Sequence, residues 1–224
     1  MNWHHKPSCV LVTGKKGSGK TTYWLKRLVA HRARWKFIFD PRREASHKLK
    51  LPICIDHPQM TRAVIEGRPV CYDSSLQFPG DRREGFAFFT RFVFNVCKEL
   101  RGSKLMACDE FQGVQKVGDN GLPQGFKEIT DEGRREEIDN LLSAQRLNEV
   151  NDDVRSQLTE LVCFKHTDSL TLDWIERTAE DMGCPFDRGA VANLPTPGRY
   201  IRFSDDGKVS TDAGTRKKPI PAGA

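Results

Sequence analysis

The chain has 224 residues, 38% of them hydrophobic and 29% charged, with a formal net charge of +6 and a pI near 9.0. This make-up fits one compact globular domain; no apolar run is long enough to span a bilayer, and Met1-Asn2-Trp3-His4-His5-Lys6-Pro7 lacks the apolar core of a signal peptide, so the protein is expected to stay where it is translated. The positive charge permits a nucleic-acid partner without requiring one, and the seven cysteines, with no C-x-x-C pair and no zinc spacing, read as small buried thiols rather than as a disulfide framework or metal site.

Residues 9–12 form an apolar run short enough for a buried strand, and Gly14-x-x-x-x-Gly19-Lys20-Thr21 turns it into a helix with the GxxxxGK[ST] pattern. Gly14, Gly17 and Gly19 permit positive φ and close approach, so backbone N–H groups can face anionic oxygens where the helix begins. The stretch Gly14, Lys15, Lys16, Gly17, Ser18, Gly19, Lys20, Thr21 and Thr22 is therefore the expected nucleotide-binding set. Lys20 would hold the β and γ phosphates of ATP, and the Thr21 hydroxyl would ligate Mg²⁺. In the helix predicted over 20–32, Tyr23, Trp24, Leu25, Leu28 and Val29 recur at spacings of three and four, a core-facing stripe.

A second strand, 35–39, ends at Asp40-Pro41, where proline stops regular structure. A basic connection with Arg42, Arg43, Lys48 and Lys50 follows, then a short helix near 60–66 and a strand at 69–72. Strands alternating with helices predict an α/β fold with a mainly parallel sheet covered on both faces. A polar loop at 73–85 leads into a helix over 86–100, whose Phe88, Phe89, Phe92, Val93, Val96 and Leu100 share one face. Strand 104–108 is closed by Asp109 and Glu110. The glycine-rich and charged segment 111–137 is expected to be a mobile functional loop. Next come a strand at 138–143, the residues Ala144-Gln145-Arg146, a charged helix over 150–158, a strand at 160–165, a helix over 170–182 and a terminal strand or hairpin at 199–203. Residues 1–204 thus read as one ATPase-like domain, and 205–224 as a polar, disordered tail.

Asp109 ends its strand where a carboxylate can bind Mg²⁺, directly or through water, opposite Thr21. Glu110, directly after it, can polarise a water for in-line attack on the γ phosphate, which a hydrolase needs and a phosphate-transferring kinase does not. Gln145 ends the next strand and faces the same crevice, placed to sense the γ phosphate or to orient the water. Arg146 and Arg155 lie just beyond; either can be a surface ion pair or a positive side chain delivered to a neighbouring subunit's nucleotide.

The P-loop, Phe39-Asp40-Pro41, the Asp109-Glu110 pair and the run from Ser143 to Gln157 leading to Phe164-Lys165 resemble the FtsK/HerA superfamily of DNA-pumping ATPases. The small size resembles its genome-packaging members from tailless, membrane-containing icosahedral viruses. The resemblance covers roughly residues 8–204 and implies an additional-strand P-loop fold, a homo-oligomeric ring of six subunits, and ATP hydrolysis coupled to movement of double-stranded DNA. It implies Glu110 as catalytic base, Gln145 as polar sensor and Arg146 or Arg155 as trans-acting finger. It also implies capsid or membrane vertex proteins as partners, in the host cytoplasm and at the packaging vertex of the virion. Between the second strand and Arg83 the chain lacks the longer insertions of cellular members, which leaves the DNA-contacting loop open. The expected element is 111–125 with Lys116 and Lys127; Arg42 with Arg43, Arg82 with Arg83, and Arg134 with Arg135 are alternatives. Other readings of the same chemistry are a filamentous-phage assembly or secretion ATPase, a small P-loop nucleotide kinase and a non-hydrolysing nucleotide switch.

Overall fold

The computed structural model describes residues 7–115, 121–133 and 135–212. Among them one sheet contains β1 (Cys9–Thr13), β2 (Trp35–Phe39), β3 (Val70–Tyr72), β4 (Lys104–Cys108), β5 (Ile138–Ala144), β6 (Glu160–Cys163), β7 (Tyr200–Ser204) and β8 (Val209–Asp212). Their spatial order is β3-β2-β4-β5-β1-β6-β7-β8. The first six strands are parallel, with Leu11 opposite both Leu142 and Leu161; β7 and β8 close the edge as an antiparallel hairpin. β5 therefore lies between the strand that feeds the P-loop and the strand that ends in Asp109-Glu110. This is the expected additional-strand arrangement, and it brings the ends of β1, β4 and β5 to one rim.

The helices are α1 (Lys20–Ala30), α2 (Glu44–Leu49), α3 (His57–Ile65), α4 (Arg82–Glu99), α5 (Gln124–Glu132), α6 (Asp152–Ser156), α7 (Ser169–Asp181) and α8 (Arg188–Ala192), with 3-10 turns at Phe111–Gly113 and Leu147–Glu149. Alternate residues of each parallel strand face opposite ways, so the sheet feeds two cores. On one side Val10, Val12, Leu105, Leu141 and Val162 pack with Trp24, Leu25 and Leu28 of α1, and Trp24 Nε1 donates to the Leu141 carbonyl at 3.1 Å. On the other, Leu11, Phe39, Met106 and Leu142 join Phe86, Phe89 and Phe126. All seven cysteines are buried free thiols; burial pushes those of Cys108 and Cys163 well up. No described helix is long and apolar enough to cross a membrane.

Three expectations need correction. The segment 111–137 is in part packed structure: α5 buries Gly125, Phe126 and Ile129. Gly125 serves close packing, since a Cβ there would lie 2.4 Å from the Arg91 amide nitrogen on α4. Phe126 then sits 5.5 Å from Phe86 and 5.0 Å from Phe111 between ring centres. The charged helix of 150–158 is only the five residues of α6 after a 3-10 turn. Residues 205–212 are not a disordered tail: Asp206-Gly207 turns the chain, Gly207 having φ 76°, and β8 pairs with β7. Lys116, Arg134 and residues 213–224 lie outside the described residues.

Candidate active site

A cleft of about 870 Å³ opens where β1, β2, β4 and β5 end. Its walls include the P-loop, Asp40, Arg42, Arg82, Asp109, Glu110, Gln112, Gln145 and Arg146. The loop conformation depends on its glycines: Gly17 has φ 81° and Gly19 φ 102°, and a Cβ on Gly14 would lie 2.7 Å from the Phe164 Cβ. Gly19 caps α1 without a side-chain bond, which leaves the first-turn amides suited to an anion. Behind the loop the Gly198 amide donates to the Ser18 carbonyl at 2.9 Å. His166, 1% exposed, sits 3.0 Å from the Thr13 hydroxyl. Burial holds its pKa down at about 4; Lys15 acts in the same direction, and Asp168 opposes them.

Lys20 is only 4% exposed and reaches Asp109 Oδ1 at 3.1 Å and Ser143 Oγ at 2.9 Å. The Ser143 hydroxyl in turn donates to Asp109. This cluster exists because β5 is interposed between β1 and β4, so Ser143 stands between the P-loop lysine and the strand-end carboxylate. Glu110 takes a left-handed conformation, φ 53°, and its amide donates to Asp109 Oδ1 at 3.0 Å and Ser143 Oγ at 3.2 Å. Its carboxylate is held at both oxygens. Gln145 Nε2 donates to Oε1 at 2.8 Å, and Arg42 Nη1 lies 2.5 Å from Oε2.

The predicted residues thus divide. Lys15, Lys16, Gly17, Gly19, Lys20, Thr21, Thr22, Asp109, Glu110, Gln145 and Arg146 line the one cleft, with Gly14 and Ser18 buried beneath it. Arg146 is at the rim, 73% exposed, and pairs with Glu149 at 3.0 Å. Arg155 is not among the lining residues; it pairs with Asp152 at 3.1 Å and also with Asp181. Arg43 leaves the cleft for Asp73, 2.6 Å away, and Lys127 is exposed on α5. Sequence reasoning missed the parts played by Ser143, Gln112 and Arg42. Arg42 was findable by the argument applied to Gln145, since both follow parallel strands that end at the same crevice. Gln112 Oε1 accepts the Gln145 amide at 3.3 Å, an approach that depends on strand adjacency.

The oxygen donors Thr21 and Asp109 beside a phosphate cradle fit Mg²⁺, which takes one or two protein oxygens and otherwise phosphate and water. A glycine-rich strand-to-helix turn, a buried lysine at the helix start and an acidic pair across an additional strand define a P-loop ATPase fold. No protein-family model and no curated protein sequence matches the chain. Solved structures do. The genome packaging NTPase B204 from Sulfolobus turreted icosahedral virus 2, in complex with AMPPCP, matches with a TM-score of 0.73 at 17% identity over 95% of this chain and 100% of that one. B204, the DNA-packaging ATPase from Sulfolobus Turreted Icosahedral Virus, gives 0.73 at 17% over 94% and 100%. VirB4 of Thermoanaerobacter pseudethanolicus gives 0.67 at 11% over 97% and 92%. The fold is thus the one implied by the resemblance to FtsK/HerA-type packaging ATPases.

Proposed function

We propose that this protein is an ATP-hydrolysing double-stranded DNA translocase that packages a viral genome into a preformed capsid. The observation that carries the reading is the Glu110 carboxylate, standing at the cleft beside the Lys20-Asp109-Ser143 cluster and engaged by Gln145. The P-loop receives the triphosphate, with Lys20 against its β and γ oxygens. Thr21 and Asp109 would hold Mg²⁺, which supplies charge neutralisation at those oxygens. Glu110 takes the proton of a water whose oxygen attacks the γ phosphorus; the bond from that phosphorus to the β–γ bridging oxygen breaks, and ADP and phosphate leave.

A likeness over nearly the whole chain to two packaging ATPases favours a DNA substrate over a small acceptor. Arg146 or Arg155 is the proposed trans-acting finger in a homo-oligomeric ring; Arg146 stands at the cleft rim, and Arg155 pairs with Asp152 and Asp181. Grip on DNA would be electrostatic and independent of sequence, from exposed cations such as Lys127 and Arg83. The test is steady-state ATP hydrolysis with and without long double-stranded DNA, read beside the oligomeric mass. DNA stimulation that fades as salt rises, in a ring-sized assembly, is the expected result. A monomer indifferent to DNA that phosphorylates a small acceptor would replace the motor with a kinase.

A further inference from the structure

β4 has β2 on one side and β5 on the other, and Glu110, just past the end of β4, is grasped from both. Gln145 reaches it from the end of β5 at 2.8 Å. Arg42 reaches it from the turn after β2 at 2.5 Å, its side chain 50% exposed and that of Glu110 20%. A long half-exposed arginine ordinarily spends much of such a contact on its own ordering. Here the turn is already fixed. Buried Asp40 accepts the Glu44 amide at 2.9 Å and the Ser46 amide at 2.7 Å, and its carbonyl accepts the Arg43 amide at 3.0 Å. Pro41 restricts its own φ, and the Arg43 side chain is anchored on Asp73 at 2.6 Å. A charge-assisted bond from a fixed turn sets the direction of a carboxylate better than a neutral amide alone.

We infer that Arg42 is a positioning residue for hydrolysis: with Gln145 it holds the Glu110 carboxylate in the orientation that meets the attacking water. The inference rests on the reading of Glu110 as general base. A misdirected base costs rate while leaving the triphosphate cradle intact, so the signature is a loss of kcat at constant KM.

The experiment measures single- and multiple-turnover ATP hydrolysis for the wild-type protein, Arg42→Ala, Arg42→Lys, Glu110→Gln and the Arg42→Ala/Glu110→Gln double variant. Each is also titrated with a fluorescent ATP analogue and melted by circular dichroism. Expected is a fall in kcat of about 10- to 100-fold for Arg42→Ala with KM and analogue affinity within about twofold. Arg42→Lys should recover part of the loss, and Arg42→Ala should cost nothing further once Glu110 is Gln, because the group to be positioned is gone. A raised KM and weakened analogue binding with unchanged kcat would make Arg42 a phosphate ligand and overturn the inference. Equal losses with and without Glu110 would do the same, as would unaltered turnover in both Arg42 variants. Should Arg42→Ala melt early, Arg42→Lys carries the test: a lowered kcat at native stability with unchanged KM and analogue affinity supports the inference, and a wild-type kcat overturns it. A wild-type protein that binds the analogue but hydrolyses no ATP would remove the hydrolase reading and this inference together, whereas an active wild type indifferent to Arg42 removes this inference alone.

Discussion

Gln145 and Glu110, 35 residues apart in sequence, are joined by a 2.8 Å hydrogen bond from amide to carboxylate. At the end of the strand beside β4 a polar residue is placed to sense the γ phosphate or to orient the attacking water, and its amide nitrogen donates to the proposed base. Gln145→Ala should therefore lower kcat by about 10-fold with little change in nucleotide affinity, through misdirection of Glu110 rather than loss of a phosphate contact. Single-turnover kinetics beside analogue titration distinguish the two, since a weakened affinity would restore the phosphate-sensing role.

Lys20 meets Asp109 and Ser143 inside the cleft wall. Replacing it with Ala should weaken ATP binding by about 10- to 100-fold, the equivalent of the ~1.5–3 kcal/mol of a charged hydrogen bond. Calorimetric titration would show it, and wild-type affinity in Lys20→Ala would exclude the lysine from phosphate binding.

Gly125→Ala is expected to destabilise the fold. The added Cβ would stand 2.4 Å from the Arg91 amide nitrogen and 2.7 Å from the Thr90 carbonyl carbon, and neither is the end of a flexible side chain. Overpacking costs about 1–3 kcal/mol, against less than about 1 kcal/mol returned by alanine in a helix. Differential scanning should find Tm lowered by about 2–8 °C. Gly113→Ala, whose Cβ would meet nothing within 4 Å, is the control and should leave Tm unchanged. Equal melting of the two variants would dissolve the proposed tight contact of α4 with α5.

His166 gives the protein a pH dependence with a definite sign. Its folded pKa of about 4 lies below the ordinary 6.5, first because of burial. On acidification the unfolded chain takes up this proton first, so stability falls as pH drops from about 6.5 to about 4 and is level above that window. The full effect is about 3 kcal/mol. Denaturant unfolding at pH 7.5 and 4.5 should therefore show a larger acid loss for the wild type than for His166→Gln. Carboxylates other than Asp168, which faces the imidazole, titrate alike in both, so parallel losses would mean that the imidazole does not stay neutral in the fold.

The P-loop and the acidic pair were legible because their chemistry is local: phosphate needs consecutive backbone amides, and a strand-end carboxylate is set by its own strand. Which strands are neighbours is a tertiary fact. Only once β5 lies against both β1 and β4 does Ser143 join Lys20 to Asp109, and only with β2 beside β4 does Arg42 reach Glu110. Two misreadings were local and avoidable. Phe126 and Ile129 stand three apart in a segment dismissed for its glycines, and one of those glycines is there for packing. Asp206-Gly207 between Phe203 and Val209 is a hairpin signal that low hydrophobicity concealed.

The bond from the Gly198 amide to the Ser18 carbonyl ties the stretch before β7 to the floor of the phosphate cradle. Gly19 also comes within reach of it, since a Cβ there would touch the Gly198 backbone at 3.4 Å. Any shift of the cradle that carries Ser18 along must be transmitted to the terminal hairpin. The phosphate cradle and the terminal hairpin are thus joined twice, at this peptide group and where Tyr200 of β7 packs on Tyr23 of α1 with ring centres 4.7 Å apart.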